Sequence, residues 1–215
     1  DGNLRSEAAI LYRSNAQSRV LEEALLRAQI PYRIYGGQKF YERQEIRNAL
    51  AYLRLLVNRN DDAAFERVVN TPTRGIGDKT VQILRQFARD EGMSMWAAVE
   101  KAVTAGELSG RASGAVQGFI NLINQLDQDS TDLPLHELVD HVVEGSGLID
   151  FYRKEKGDRG QSRIENLQEL VVACRSFEPE GIEPEKKDQP CLSFSIRQHW
   201  TPEIVKRMRV KMLFS

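Results

Sequence analysis

Apolar positions follow a strand-like rhythm only at the start of the chain. "EAAILYR", Glu7 to Arg13, is a short apolar run ending in polar residues, the pattern of a buried strand. "SNAQSRVLEEALLRAQ" follows, with Val20, Leu21, Ala24, Leu25 and Ala28 at helical spacing. Ser14 or Asn15 is placed to accept from the first N–H groups of that helix. Pro31 ends it, and "YRIYGG" reads as a second short strand closed by a glycine turn. Strand, helix, strand is one unit of an α/β sheet.

After Gly37 the rhythm becomes helical and stays so. "YERQEIRNALAYLRLLVN" predicts an amphipathic helix with Ile46, Leu50, Leu53 and Val57 on one stripe. "DDAAFERVVN" predicts a shorter helix capped by Asp61 or Asp62, and "DKTVQILRQFARDEG" one stopped at Gly92. "MSMWAAVEKAV", "SGAVQGFINLINQLDQ", "PLHELVDHVVEGS", "GLIDFYRKEKG" and "QSRIENLQELVVACRSF" all favour helix over strand. No repeat of fixed period runs through them, which excludes a solenoid. From Glu178 the pattern is lost in "EPEGIEPEKKDQP", charged and proline-bearing like a linker. The expected fold is mainly α: a short partial α/β piece over residues 1–38, a helical domain over 39–177, and a linker with an aberrant tail over 178–215.

Composition narrows this picture by exclusion. No apolar run approaches the ~20 residues that a membrane span requires. The two cysteines, Cys174 and Cys191, have no metal-ligand spacing and read as free thiols of a reducing, cytoplasmic setting. His136, His141 and His199 are scattered, so neither a metal site nor a catalytic pair is expected. The net charge of −1 gives no whole-chain argument for nucleic acid, so any such case rests on local charge placement. "DGNLRSEAAI" carries no initiator Met and reads as a cut from a longer chain.

One local stretch makes that case. "NTPTRGIGDKT", Asn70 to Thr80, joins two predicted helices with a proline and two glycines. Gly75 and Gly77 would permit backbone conformations closed to other residues and offer little bulk to a partner. Their N–H groups, with the start of the next helix, could form a cluster of donors for phosphate oxygens. Arg74 and Lys79 would add charge and Thr80 a hydroxyl donor, and Ile76 would pack inward. The alternative is a tight interhelical turn that needs glycines and nothing more.

The surrounding residues carry a closer likeness. "AILYRSNAQSRVLEEALL", "PYRIYGGQKFYERQEIRNALAYLRLLVNRNDDAAFERVVNTPTRGIGDKT" and "KGDRGQSRIENLQELV" resemble the UvrD/PcrA/Rep family of superfamily 1 DNA helicases, over about Glu7 to Phe177. The resemblance implies a 3′ to 5′ motor driven by ATP and Mg²⁺, acting in DNA repair. It implies that the first unit belongs to the second motor subdomain, 2A, and the helical part to the accessory subdomain 2B that holds duplex DNA. "RGIG" matches the family's duplex-gripping turn, so Thr73, Arg74, Gly75, Ile76, Gly77, Lys79 and Thr80 become candidate duplex contacts. Arg13 and Asn15 match positions that contact single-stranded DNA, although Arg13 also fits an ion pair at a sheet edge. Arg19 reads as a partner of Glu22 or Glu23 on its own helix. Gly36 and Gly37 would serve as hinge positions, Phe40 as core, and Arg43 would either touch DNA or lock the hinge. Trp96, Met93 and Met95 read as core, and Tyr152 to Arg159 as a solvated face. Partners would be DNA at a duplex to single-strand junction and repair proteins, with no membrane. The competing class is a regulatory or protein-interaction module, since inserted helical subdomains can serve as docking surfaces.

The phosphate loop G-x-x-x-x-G-K-[ST], an acidic Mg²⁺ motif and an arginine finger are not found in this sequence, so no catalytic residue, metal ligand or cofactor is assigned to it, and the chain alone is expected to hydrolyse no ATP. Its tail, "QHWTPEIVKRMRVKMLFS", departs from the family. Read one base out of phase, codons from Gln198 onward permit "ALDAGDRQADAGEDAVQ", which resembles the family's acidic stretch before its next motor motif. The residues from about Pro190 onward are therefore expected to be a frameshift product, the rival being a basic helix "IVKRMRVKM". Sequencing the encoding DNA checks this: codons incompatible with the shifted string leave the basic helix standing.

Overall fold

The computed structural model describes residues 8–108 and 110–175, and among the described residues all regular structure is helical. The chain order is α1 (Ser18–Arg27), α2 (Gln44–Val57), α3 (Asp62–Val68), α4 (Asp78–Asp90), α5 (Met95–Thr104), α6 (Gly110–Asp129), α7 (Leu135–Gly145), α8 (Leu148–Arg153) and α9 (Asp158–Arg175). Single 3₁₀ turns at Asn15–Gln17 and Phe40–Glu42 precede α1 and α2. None of these helices is long and apolar enough to cross a membrane. The expected linker and tail lie outside the described residues.

Every segment predicted as helix beyond Gly37 forms one, and Asp61 rather than Asp62 caps α3 by accepting from the Ala64 N–H at 2.9 Å. Such a cap contributes about 1 kcal/mol. Asp62 instead accepts from the Met95 N–H at 2.8 Å and so ties α3 to α5. Helix α2 exceeds its predicted stripe. From Glu45 to Leu56 only Arg47 and Arg54 escape burial, because α3, α6, α7 and α9 all pack on it. Small residues such as Ala49 and Ala51 let these neighbours close in on faces beyond the Ile46–Leu50–Leu53 line. The polar groups α2 carries inward are paired. Asn48 Nδ2 donates to the Tyr152 hydroxyl at 2.9 Å, and the Tyr52 hydroxyl donates to the Thr71 carbonyl at 2.6 Å. Either group left unpaired in the core would cost about 1–3 kcal/mol. Phe65 fills the gap between α3, α5 and α6, edge-on to Phe119 and to Trp96, with Met95 buried beside them as the core reading expects.

The N-terminal piece differs from its expectation. Neither strand forms: residues 8–12 and 30–34 are irregular, and the predicted buried run exposes Ile10 by 55% and Leu11 by 95%. A strand exists only through a ladder with a neighbour, and the described residues supply none. Helix α1 does form, but it buries Ser18, Arg19 and Glu22 and turns Val20 and Leu26 outward. Tyr152, predicted at the edge of a solvated face, is fully buried, while Arg153, Lys154, Lys156 and Arg159 are exposed as expected.

Two glycines test the packing in opposite directions. A Cβ on Gly160 would stand 2.3 Å from the Tyr152 carbonyl oxygen, where α9 crosses the end of α8. Gly160→Ala should therefore destabilise by about 1–3 kcal/mol. Gly118, exposed on α6, has nothing within 4 Å of its Cβ position, so Gly118→Ala should stabilise by about 0.5–1 kcal/mol. Denaturant unfolding of both variants checks the pair, and equal midpoints would contradict the α8–α9 approach.

Candidate nucleic-acid interface

Helices α3 and α4 form a hairpin whose turn is held from within. Glu66 on α3 and Arg85 on α4 meet in a two-pronged ion pair, Nε to Oε1 at 2.6 Å and Nη2 to Oε2 at 2.9 Å, which fixes the angle between the helices. The hydrogen bond from Arg85 is the main reason that the Glu66 carboxyl lies below the usual carboxylate range. Ile76 is 1% exposed and anchors the turn in the core, as its sequence position predicts. The Asn70 side-chain oxygen accepts from the N–H groups of Arg74 at 2.8 Å and Ile76 at 3.2 Å.

Arg74 is turned inward, unlike the outward cation expected of it. Its Nη1 donates to the carbonyls of Pro72 at 3.0 Å and Val68 at 3.3 Å, and its Nη2 to the Ser146 carbonyl at 2.8 Å between α7 and α8. The guanidinium also lies over the rings of Tyr52 and Phe119, 5.8 and 5.6 Å from their centroids. Burial pushes the Tyr52 hydroxyl up to about 12, with Arg74 pulling the other way. Arg74 thus clamps the turn onto the body of the molecule.

The opposite side of the turn is open. Gly75 has φ +79°, a left-handed conformation that favours glycine, but Gly77 has φ −79° and ψ 170°, open to any residue. The expectation that both glycines serve backbone freedom holds for Gly75 alone. At neither would a Cβ meet an atom within 4 Å, so at Gly77 the missing side chain leaves room for something outside the chain. The N–H groups of Thr80 and Val81 both reach the Gly77 carbonyl, at 2.9 and 3.2 Å. Those of Gly75, Gly77, Asp78 and Lys79 have no acceptor among the described residues. They lie at the N-terminal end of a 13-residue helix, where the helix dipole is positive. Thr73 and Lys79 are exposed around them and Thr80 is half-buried, while the exposed Asp78 carboxylate works against an anion.

The remaining candidates divide. Arg13 is exposed, and among the described residues its guanidinium meets no carboxylate; the Asn15 side chain instead donates to Ser162 on α9 at 3.3 Å. Gly36 has φ +80° in an exposed bend, and Gly37 beside it is also exposed. Phe40 is fully buried. Arg43, which the sequence left between two roles, is 7% exposed and donates to the Asn15 carbonyl at 2.7 Å, the Ser18 hydroxyl at 2.7 Å and the Asn166 side chain at 2.8 Å. It locks the N-terminal piece to α9. Ser18 passes on to Glu22 at 2.8 Å and Asn166 to Glu45 at 2.6 Å, so one buried cation sits between two buried carboxylates through neutral relays. Glu22 is taken by Ser18, Tyr32 and the Phe40 N–H, and Arg19 pairs with Glu23 and with Glu169 on α9. Asn70 and Asn166 were missed from sequence; an Asn opening a Pro–Gly turn is the signal that marks the first. Among the described residues no cluster of His, Cys, Asp or Glu could hold a metal ion.

These features define a helical domain built to present a rigid, donor-rich hairpin turn. The chain belongs to the family described as the UvrD-like helicase C-terminal domain, whose model matches residues 2–196. It is 59% identical over 177 residues to DNA helicase II of Escherichia coli K12, covering 82% of this chain and 25% of that protein. It is 56% identical to DNA helicase II of Haemophilus influenzae over 85% of this chain, and 40% identical to the ATP-dependent DNA helicase PcrA of Staphylococcus epidermidis over 82%. The chain spans about a quarter of the length of these relatives. The family resemblance carried by the quoted motifs therefore holds.

Asn70 provides the check on this geometry. Asn70→Ala leaves two turn N–H groups without their acceptor and should destabilise by about 1–3 kcal/mol. Asn70→Asp keeps an acceptor in place and should retain most of the stability. Thermal unfolding that ranks the two variants alike would contradict the role assigned to the Asn70 oxygen.

Proposed function

We propose that this chain is a piece of an ATP-dependent 3′ to 5′ DNA helicase of repair, and that its helical part, residues 39–177, holds duplex DNA by the backbone. Thr73, Gly75, Gly77, Lys79 and Thr80 make the contact, while Arg74 and Ile76 hold the turn in shape for it. The observation that carries this reading is the set of N–H groups on Gly75, Gly77, Asp78 and Lys79 that have no acceptor among the described residues, beside glycines with open space where a Cβ would stand. Phosphodiester oxygens accept from such groups, and the missing side chains let the strand come close. Contacts of this kind follow the shape of the backbone and carry no sequence information.

Residues 1–38 are the edge of a motor subdomain in this reading. The outward Ile10, Leu11, Val20 and Leu26 suit a face completed by further sheet, and the exposed Arg13 guanidinium suits a single-strand contact. Gly36 and Gly37 supply the hinge beside the Arg43 lock. ATP and Mg²⁺ belong to the longer helicase: the residues present do not fit them, having neither a phosphate-loop sequence nor, among the described residues, a carboxylate cluster for the ion. DNA and repair proteins are the partners, and the setting is cytoplasmic.

Fluorescence anisotropy with a tailed duplex tests the reading. Gly77→Val fits the backbone and the free space of the folded turn, so with Lys79→Ala it should leave the chain folded, at a cost of about 1 kcal/mol for valine at the helix N-cap. Binding by the unaltered chain should weaken with salt, log K falling by about 0.9 per log unit of salt for each phosphate engaged. Binding should collapse in the double variant. A folded double variant that binds as the unaltered chain does would move the contact away from the turn, and indifference to salt would favour a protein-docking role.

A further inference from the structure

The otherwise enclosed helix α2 has a single opening to solvent between Glu45 and Leu53, and Arg47 occupies it. Arg67, from the first helix of the hairpin, stands beside it: its Nη2 reaches the Gln44 carbonyl at 3.5 Å, one helical turn before Arg47. The Nε of Arg67 is buried with no hydrogen-bond partner among the described residues. Among the described residues, neither guanidinium has a carboxylate in ion-pair range. Burial, and then the facing charge of Arg47, hold the Arg67 guanidinium below its ordinary value. Arg163 also comes to this edge, 3.3 Å from the Gln44 side chain, but Glu155 and Glu45 neutralise it.

Two like charges near one another, one of them partly desolvated, are unfavourable alone and favourable beside an anion. Planar N–H forks match the spacing of phosphate oxygens. Arg67 lies on α3 only three residues before Asn70, which shapes the turn, so the pair flanks the same hairpin. We propose that Arg47 and Arg67 form a phosphate-binding subsite on the flank of the hairpin, which takes a backbone phosphodiester of the duplex held by the turn. The proposal rests on the reading of the turn as a duplex grip, and extends the grip from one point on the backbone to a second.

The test uses the full chain with Arg47→Gln and Arg47→Lys, chosen because Arg47 is exposed and its replacement leaves the core untouched. Duplex binding is followed by anisotropy over a salt series, and thermal unfolding is measured with and without inorganic phosphate. Arg47→Gln should weaken binding several-fold for any duplex sequence and lower the salt slope by about 1, with Arg47→Lys restoring most of both. An unchanged slope, with phosphate raising the unfolding temperature of the unaltered chain but not of Arg47→Gln, would overturn the duplex as the source and leave free phosphate as the ligand. No effect in either measurement would overturn the subsite. Running the Gly77→Val, Lys79→Ala variant alongside separates the two ideas. If it loses binding while Arg47→Gln does not, the turn stands and the subsite falls; if only Arg47→Gln loses binding, the turn reading falls, and with it the subsite as a second point of the turn's grip.

Discussion

Because α2 is enclosed on nearly every side, each polar group it carries must find its partner inside the bundle, and those pairings decide where the other elements sit. Asn48 fixes the end of α8 through the Tyr152 hydroxyl. Glu45 takes Asn166 from α9, and Arg43, at the N-terminal edge of α2, takes the same side chain together with Asn15 and Ser18. Tyr52 holds the Thr71 carbonyl at the entry to the hairpin turn. A helix that is apolar all round could slide or rotate within its sheath. Directional bonds that are expensive to leave unmade remove that freedom.

The turn inherits its rigidity from this arrangement. Its two basic residues divide the work according to their chemistry. The guanidinium of Arg74 has a planar fork and a weakly hydrated face, and it meets three carbonyls and two aromatic rings inside the molecule. The ammonium of Lys79, a compact and strongly hydrated charge, stays outside beside the open N–H groups. A chain with a net charge of −1 can therefore present a local positive surface, because backbone dipoles and one or two placed cations supply it. The exposed Asp78 carboxylate keeps that surface modest.

The helices were legible because their apolar periods are strong and their caps conventional, as at Asp61 and Gly92. The expected strands are not seen among the described residues, for a physical reason. An apolar run such as "AAILY" records that a side chain is meant to be covered but does not say by what, and among the described residues nothing covers Ile10 and Leu11. The turn was legible as a motif, and Ile76 followed from the hydrophobic pattern. The direction of Arg74 was not legible, since it depends on the Ser146 carbonyl and the Phe119 ring, both distant in sequence. Arg43 and Asn166 were hidden likewise: a buried polar network is written in residues that individually look like surface positions.

The proposed duplex grip rests on the open N–H groups of the turn. Two-dimensional ¹H–¹⁵N spectra of the chain titrated with a short blunt duplex observe them one by one. A duplex held at the turn predicts that the amide signals of Gly75, Gly77, Asp78 and Lys79 move together and become protected from exchange, while those of Arg74 and Ile76, already bonded to Asn70, move least among the turn residues. Amide changes centred elsewhere, with these four unmoved at a duplex concentration that saturates binding, would contradict it.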